Sequence, residues 1–169
     1  MFPKNLSAII FDFDGVFTDN KVLISEDGKE IVVCDRGDGL AINAFRRYYP
    51  QIKIAVISKE KNAVVKTRCT KLNIECMHGV DDKVQILQKW AKENNQKLEN
   101  IIFLGNDLND IAVMRTVGLG VAVNDAYPEV KDIGKLILDK KGGNGAIREL
   151  LEKVSYFLSK KSLCELWEH

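Results

Sequence analysis

Leu6-Ser7-Ala8-Ile9-Ile10-Phe11-Asp12-Phe13-Asp14-Gly15 is the stretch that decides the fold. Leu6–Phe13 is almost continuously apolar and ends in acids, as a parallel strand buried on both faces does. Working outward, strand-sized apolar runs recur at Ile52–Ile57, Ile74–Met77 and Ile101–Leu104, with shorter ones at Leu119–Val123 and Leu136–Leu138. Helical periods separate them: Gly39–Tyr49, which stops before Pro50, then Lys61–Leu72, Lys83–Asn95 and a segment near Leu108–Val117. Ile147, Leu150, Leu151, Val154, Phe157 and Leu158 repeat at the spacing of one helix face. Strands alternating with helices predict an α/β fold, three layers with a central parallel sheet. Val16–Cys34 interrupts the alternation. Its alternating pieces around Val22–Ile24 and Ile31–Val33 flank Glu26-Asp27-Gly28, which reads as a β-hairpin. The expected layout is one domain over residues 1–160, a hairpin flap over 16–35, and a tail over 161–169.

Composition narrows the function classes. The 169 residues suffice for one domain with a proper core. A formal net charge of +1 gives no sign of a nucleic-acid surface. No apolar run is long enough to span a bilayer, and no basic segment leads into a long apolar stretch. Cys34, Cys69, Cys76 and Cys164 show no CxxC spacing, so neither a zinc site nor a disulfide framework is indicated. Scattered free thiols fit a reducing cytoplasm.

Ligands of open parallel sheets collect at the carboxyl ends of strands, and four features stand there. Asp12 and Asp14 close the first strand; two carboxylates this near repel unless a cation or proton separates them. A hard cation with oxygen ligands, such as Mg2+, resolves that conflict, and Gly15 lets the backbone turn. Gly105-Asn106-Asp107-Leu108-Asn109-Asp110 places four oxygen-bearing side chains within five residues after another strand. A helix N-cap explains one of them, not four. Ser58 follows Ala55-Val56-Ile57, where its hydroxyl suits a phosphate oxygen or an ordinary turn. Lys83 opens a helix, against the helix dipole.

Taken in order, DxD, Ser, Lys and an Asn/Asp cluster resemble the haloacid dehalogenase superfamily of phosphotransferases over nearly the whole chain. The resemblance implies Asp12 as nucleophile, Asp14 as general acid and base, and Ser58 and Lys83 as catalytic partners. It implies Mg2+ held by the Asp12 side chain, the Asp14 backbone carbonyl and an acid of the last motif. Active members usually begin that motif Gly-Asp, whereas this chain has Gly105-Asn106. The amide oxygen of Asn106 still ligates, without formal charge, and Asp107 is the alternative ligand.

No stretch is long enough for an inserted cap domain. The chain is similar to the capless branch that includes 3-deoxy-manno-octulosonate 8-phosphate phosphatase, keto-deoxy-nononate 9-phosphate phosphatase and the C-terminal domain of acylneuraminate cytidylyltransferases. The supporting residues are Asp38–Ile42, Ile57-Ser58, Gly79–Lys83 and Gly142–Glu149. Members of this branch are homotetramers in which a neighbouring subunit covers the site. Ser58-Lys59-Glu60-Lys61 followed by Arg68 resembles the nine-carbon sugar-acid enzymes. Gly15, Lys59, Glu60, Arg68 and Arg148 are therefore the expected substrate-binding residues. The expectation is a cytoplasmic phosphatase acting on a phosphorylated sugar acid, without nucleic-acid or membrane partners. The alternative is a weakly active or inactive oligomerisation module associated with a cytidylyltransferase.

Overall fold

The structure, a computed structural model, describes residues 1–167. In chain order the strands are β1 (Ala8–Phe11), β2 (Leu23–Ile24), β3 (Glu30–Ile31), β4 (Lys53–Ile57), β5 (Glu75–Met77), β6 (Ile101–Gly105), β7 (Leu119–Ala122) and β8 (Leu136–Ile137). The helices are α1 (Arg36–Tyr48), α2 (Ala63–Leu72), α3 (Lys83–Glu93), α4 (Ile111–Thr116), α5 (Pro128–Ile133), α6 (Ala146–Ser159) and α7 (Leu163–Trp167). Six strands form one parallel sheet in the order β5-β4-β1-β6-β7-β8. The predicted α/β architecture is therefore the observed one.

The runs chosen as strands are the core. Ala8–Phe11, Ala55–Ile57 and Ile101–Leu104 have essentially no exposed surface. Their continuous apolarity follows from helices covering both faces of the sheet. α1 and α6 pack together, with Ala41, Ile42 and Phe45 of the one and Ile147, Leu150, Leu151 and Val154 of the other all buried. β1 lies between β4 and β6. The chain runs outward on one side of β1 and then crosses to the other, which opens a crevice at the strand tips. Asp12, Ser58 and Asn106 sit at those tips.

Two segments depart from expectation. α5 starts at Pro128, whose fixed φ suits a first helical position; six residues were too few to show a period. Residues 161–167, expected as tail, hold α7, which packs on α1 with Leu163 buried. The last two residues of that expected tail lie outside the described residues. Within Val16–Cys34, β2 and β3 pair antiparallel, with Leu23 opposite Ile31, and a bridge between Thr18 and Cys34 closes the base. No helix among the described residues is long and apolar enough to cross a membrane.

Candidate active site

Beneath the strand tips lies a buried ion network. The Lys83 ammonium stands 2.8 Å from Asp12 Oδ1 and 2.7 Å from Asp110 Oδ1, and all three side chains are at most 5% exposed. Asp82 caps α3 by accepting the Val84 and Gln85 N–H groups, so Lys83 enters the helix with its stem directed inward. Asp12 is fixed by its backbone N–H, donated to the Leu104 carbonyl of β6. Phe13, between the two acids, is anchored by stacking on Phe17 at 5.4 Å.

One ammonium cannot offset two buried carboxylates. Burial first, and the Asp110 charge second, push the Asp12 carboxyl up to about 8 despite Lys83. Burial pulls Lys83 downward, but Asp12 and Asp110 outweigh it and hold the ammonium above its ordinary value. Asp14, half-buried above them, is raised by burial, then by the Glu60 charge, against Lys83. Such a centre is short of positive charge.

Asp110 is the functional residue that sequence reasoning missed. Its Oδ1 takes Lys83, and its Oδ2 accepts the Asn106 N–H at 2.9 Å and the Asp107 N–H at 3.3 Å. A Cβ on Gly105 would lie 2.6 Å from the Asp110 carboxyl, so that glycine is what lets the acid fold under the strand end. The signal was present, since Asp110 closes the cluster, but spacing alone does not say which acid turns inward.

Above the network is a cavity of about 240 Å³. Asp12, Asp14, Ser58, Lys59, Glu60, Asn106 and Asp107 all line it, as do Asn20 and Asn109. Gly15, next to Asp14, has φ +77°, and a Cβ there would fall 1.9 Å from Asn106 Nδ2. Turn conformation and side-chain packing therefore both exclude a larger residue.

Two predicted substrate-binding residues are elsewhere. The Arg68 guanidinium donates to the Asp35 carbonyl at 3.0 Å. It lines a separate cavity under the hairpin with Cys34 and Val64. Arg148 donates its backbone N–H to Asp38 Oδ1, and its side chain lies toward Glu152 beside Leu40 and Trp167. Neither reaches the acid pocket. The resemblance points to Arg68, and a charged bond to a carboxylate points to Arg148, but within one chain their side chains line other cavities.

Among the described residues no three His, Cys, Asp or Glu side chains converge as a metal site. The donor set nevertheless fits a hard cation, because Asn106 supplies the third oxygen. Its Oδ1 is buried, accepts no hydrogen bond and belongs to the pocket lined by Asp12 and Asp14. An orphaned buried acceptor is costly and calls for a partner, and an oxygen-only set with two acids suits a divalent ion. Asp107 fits less well, since its carboxylate caps the following 3₁₀ turn by accepting the Leu108 N–H.

Comparison with known proteins agrees with this geometry. A family profile described as haloacid dehalogenase-like hydrolase matches residues 38–150. The chain belongs to that family. The match starts beyond Asp12 and Asp14, but the relatives extend further. The 3-deoxy-D-manno-octulosonate 8-phosphate phosphatase KdsC of Escherichia coli (strain K12) is 31% identical over 150 residues, covering 88% of this chain and 79% of that protein. The Moraxella catarrhalis enzyme of the same name, solved with magnesium, phosphate and KDO, has a TM-score of 0.86 and 28% identity, covering 90% of this chain and 87% of that one. A cobalt-bound form of the deoxy-D-mannose-octulosonate 8-phosphate phosphatase from Haemophilus influenzae has a TM-score of 0.84 and 28% identity, covering 89% and 88%. Family and relatives together make the chain a phosphoric monoester hydrolase of the capless haloacid dehalogenase branch.

Proposed function

We propose that this enzyme is a magnesium-dependent phosphatase of 2-keto-3-deoxy sugar acid phosphates. The observation that carries the reading is the Lys83 ammonium 2.8 Å from Asp12, at the base of a pocket where Asp14, Ser58 and Asn106 meet.

Asp12 attacks phosphorus in line while the bond from phosphorus to the sugar oxygen breaks, leaving an aspartyl-phosphate. Asp14 gives its proton to the departing alcohol, then takes one from the water that hydrolyses the intermediate. Inorganic phosphate leaves and Asp12 is restored. Lys83 holds Asp12 in place and offsets charge on the transferring group, and the Ser58 hydroxyl donates to a phosphoryl oxygen. Magnesium, held by Asp12, Asp14 and Asn106, supplies the remaining positive charge when bound.

The named relatives favour an eight-carbon acid carrying an 8-phosphate. Lys59 and Glu60 on the rim favour a nine-carbon, sialic-acid-like 9-phosphate. A homotetramer with the neighbouring subunit over the site fits the hairpin, where Val22, Leu23, Ile24, Ile31 and Val33 are all exposed beside the pocket. The neutral amide of Asn106 favours a second reading, a weakly active or inactive module accompanying an acylneuraminate cytidylyltransferase.

Phosphate release from a panel of 8- and 9-phosphorylated sugar acids, with and without magnesium, separates these readings. We expect metal-dependent turnover on at least one of them and a loss of about a thousandfold or more in Asp12→Asn. No turnover on any, by a folded oligomer, gives the module reading instead. Near-normal rates in Asp12→Asn remove that residue as nucleophile.

A further inference from the structure

The hairpin flap is held to the body in an unusual way. Among the described residues, every other hydrogen bond or ion pair made by residues 19–33 stays within the hairpin and its base. The exception is Asn62 Nδ2, which donates to Glu30 Oε2 of β3 at 2.9 Å.

The other polar atoms of Asn62 serve the loop that carries Ser58 and the first turn of α2, where the Val65 N–H donates to its carbonyl. Its backbone N–H donates to Glu60 Oε1 at 2.7 Å. The Glu60 N–H in turn donates to Ser58 Oγ at 3.1 Å. Asn62 Oδ1 accepts the Val64 N–H at 3.1 Å, capping α2. Asp, Ser and Thr cap helices as well as Asn does. Ionised Asp has no donor, and Ser or Thr must cap and donate through one hydroxyl, whereas Asn carries a separate amide donor that reaches a carboxylate outside the helix. Asn thus serves the cap and the bond to the flap at once, through separate atoms.

We propose that the Asn62–Glu30 hydrogen bond is a latch that sets the flap against the Ser58–Glu60 loop. Asn62 and Glu30 are positioning residues for substrate entry and binding. The inference rests on the phosphatase reading for its kinetic consequence, but not for its structural one. Both partners are only partly buried, so the latch can open without exposing core. A chain of bonds runs from Ser58 through Glu60 and Asn62 to Glu30, so whatever shifts the serine loop also shifts the flap.

The test reverses the bond. Asn62→Asp keeps the helix cap but removes the donor and sets a carboxylate against Glu30. Glu30→Gln alone keeps the bond, since a glutamine oxygen still accepts. Asn62→Asp with Glu30→Gln restores it with donor and acceptor exchanged. We expect amide exchange over residues 19–33 to speed up about tenfold in Asn62→Asp, and to return to near wild type in the double variant. KM for the hydrolysed sugar-acid phosphate rises about fivefold in Asn62→Asp while kcat stays within about twofold, with the same rescue. Unchanged exchange in Asn62→Asp, or a double variant as loose as the single one, overturns the latch. Exchange in the expected order with no turnover by any variant leaves the latch standing and removes the phosphatase reading.

Discussion

The strand tips and the hairpin flap lie side by side and are built on opposite terms. At the tips, Asp12, Lys83 and Asp110 are buried and hydrogen-bonded, and they are carried by the end of β1, the start of α3 and the turn before α4. In the flap, residues 21–29 are all exposed, β2 and β3 are two residues each, and one side-chain bond ties the hairpin to the body. On the proposed reading, the reacting groups sit where the fold resists local opening, and access is governed where it resists least. A sheet gives the first property without effort, because its tips are fixed by neighbouring strands. The second needs an insertion that contributes little to the core.

The comparison breaks first at Lys83. Replacing it with Met leaves Asp12 and Asp110 facing each other, buried and without a cation. Removing one partner from a buried ionic group costs about 3–5 kcal/mol, or roughly 10 °C in Tm for a chain of this size. Activity falls by at least about a hundredfold, because the phosphoryl group loses a cation. Thermal unfolding and phosphate release check both. A Lys83→Met protein as stable as wild type means that the two acids share a proton and that the ammonium is not what holds them.

A gentler probe is pH in the absence of metal. Asp12 is held up to about 8 and Asp38 to about 6, each chiefly by burial, and Asp14 is raised as well. Unfolded, these groups ionise near 3.8. Between those limits the folded state binds more protons than the unfolded state, so stability falls as pH rises from about 4 to about 8. On the proposed reading magnesium binds the ionised site and offsets that loss, so its stabilising effect is expected to grow with pH. Melting curves in a chelator and in excess magnesium, at about pH 5 and about pH 8, measure this. A metal increment that shrinks toward high pH contradicts the assignment of Asp12 as a ligand.

The tips were also the more legible region. Buried parallel strands announce themselves as unbroken apolar runs, and acids at their ends stand out against that background. That made β1, β4 and β6 readable, together with Asp12, Asp14, Ser58 and Asn106. Asp110 was not, because its inward turn depends on Gly105 leaving room, a three-dimensional fact. Arg68 follows from the resemblance and Arg148 from the charge it offers a carboxylate, but helix rotation decides where an arginine points. α5 and α7 have six and five residues, too few for a periodic signal to separate from noise. Asn62 falls inside the helical period Lys61–Leu72, and nothing in the sequence points to its partner Glu30, 32 residues away.

The smallest expected effect belongs to the flap. Leu23 and Ile24 are 64% and 69% exposed, so within one subunit they bury little apolar surface. Replacing both with Thr puts a β-branched residue at each strand position and changes the stability of an isolated subunit by no more than about 0.5 kcal/mol, about 2 °C. Association is a different matter. Five exposed aliphatic side chains on one short hairpin form a patch that a second copy of the chain can cover, and two hydroxyls in it weaken that contact. Sedimentation over a range of protein concentrations therefore shifts toward smaller species in the Leu23→Thr, Ile24→Thr variant, while Tm at low concentration stays put. A fall in Tm of several degrees at concentrations where the wild type is already monomeric gives the opposite answer. The hairpin would then pack on its own body, and the contrast between a fixed site and a loosely held flap would not stand.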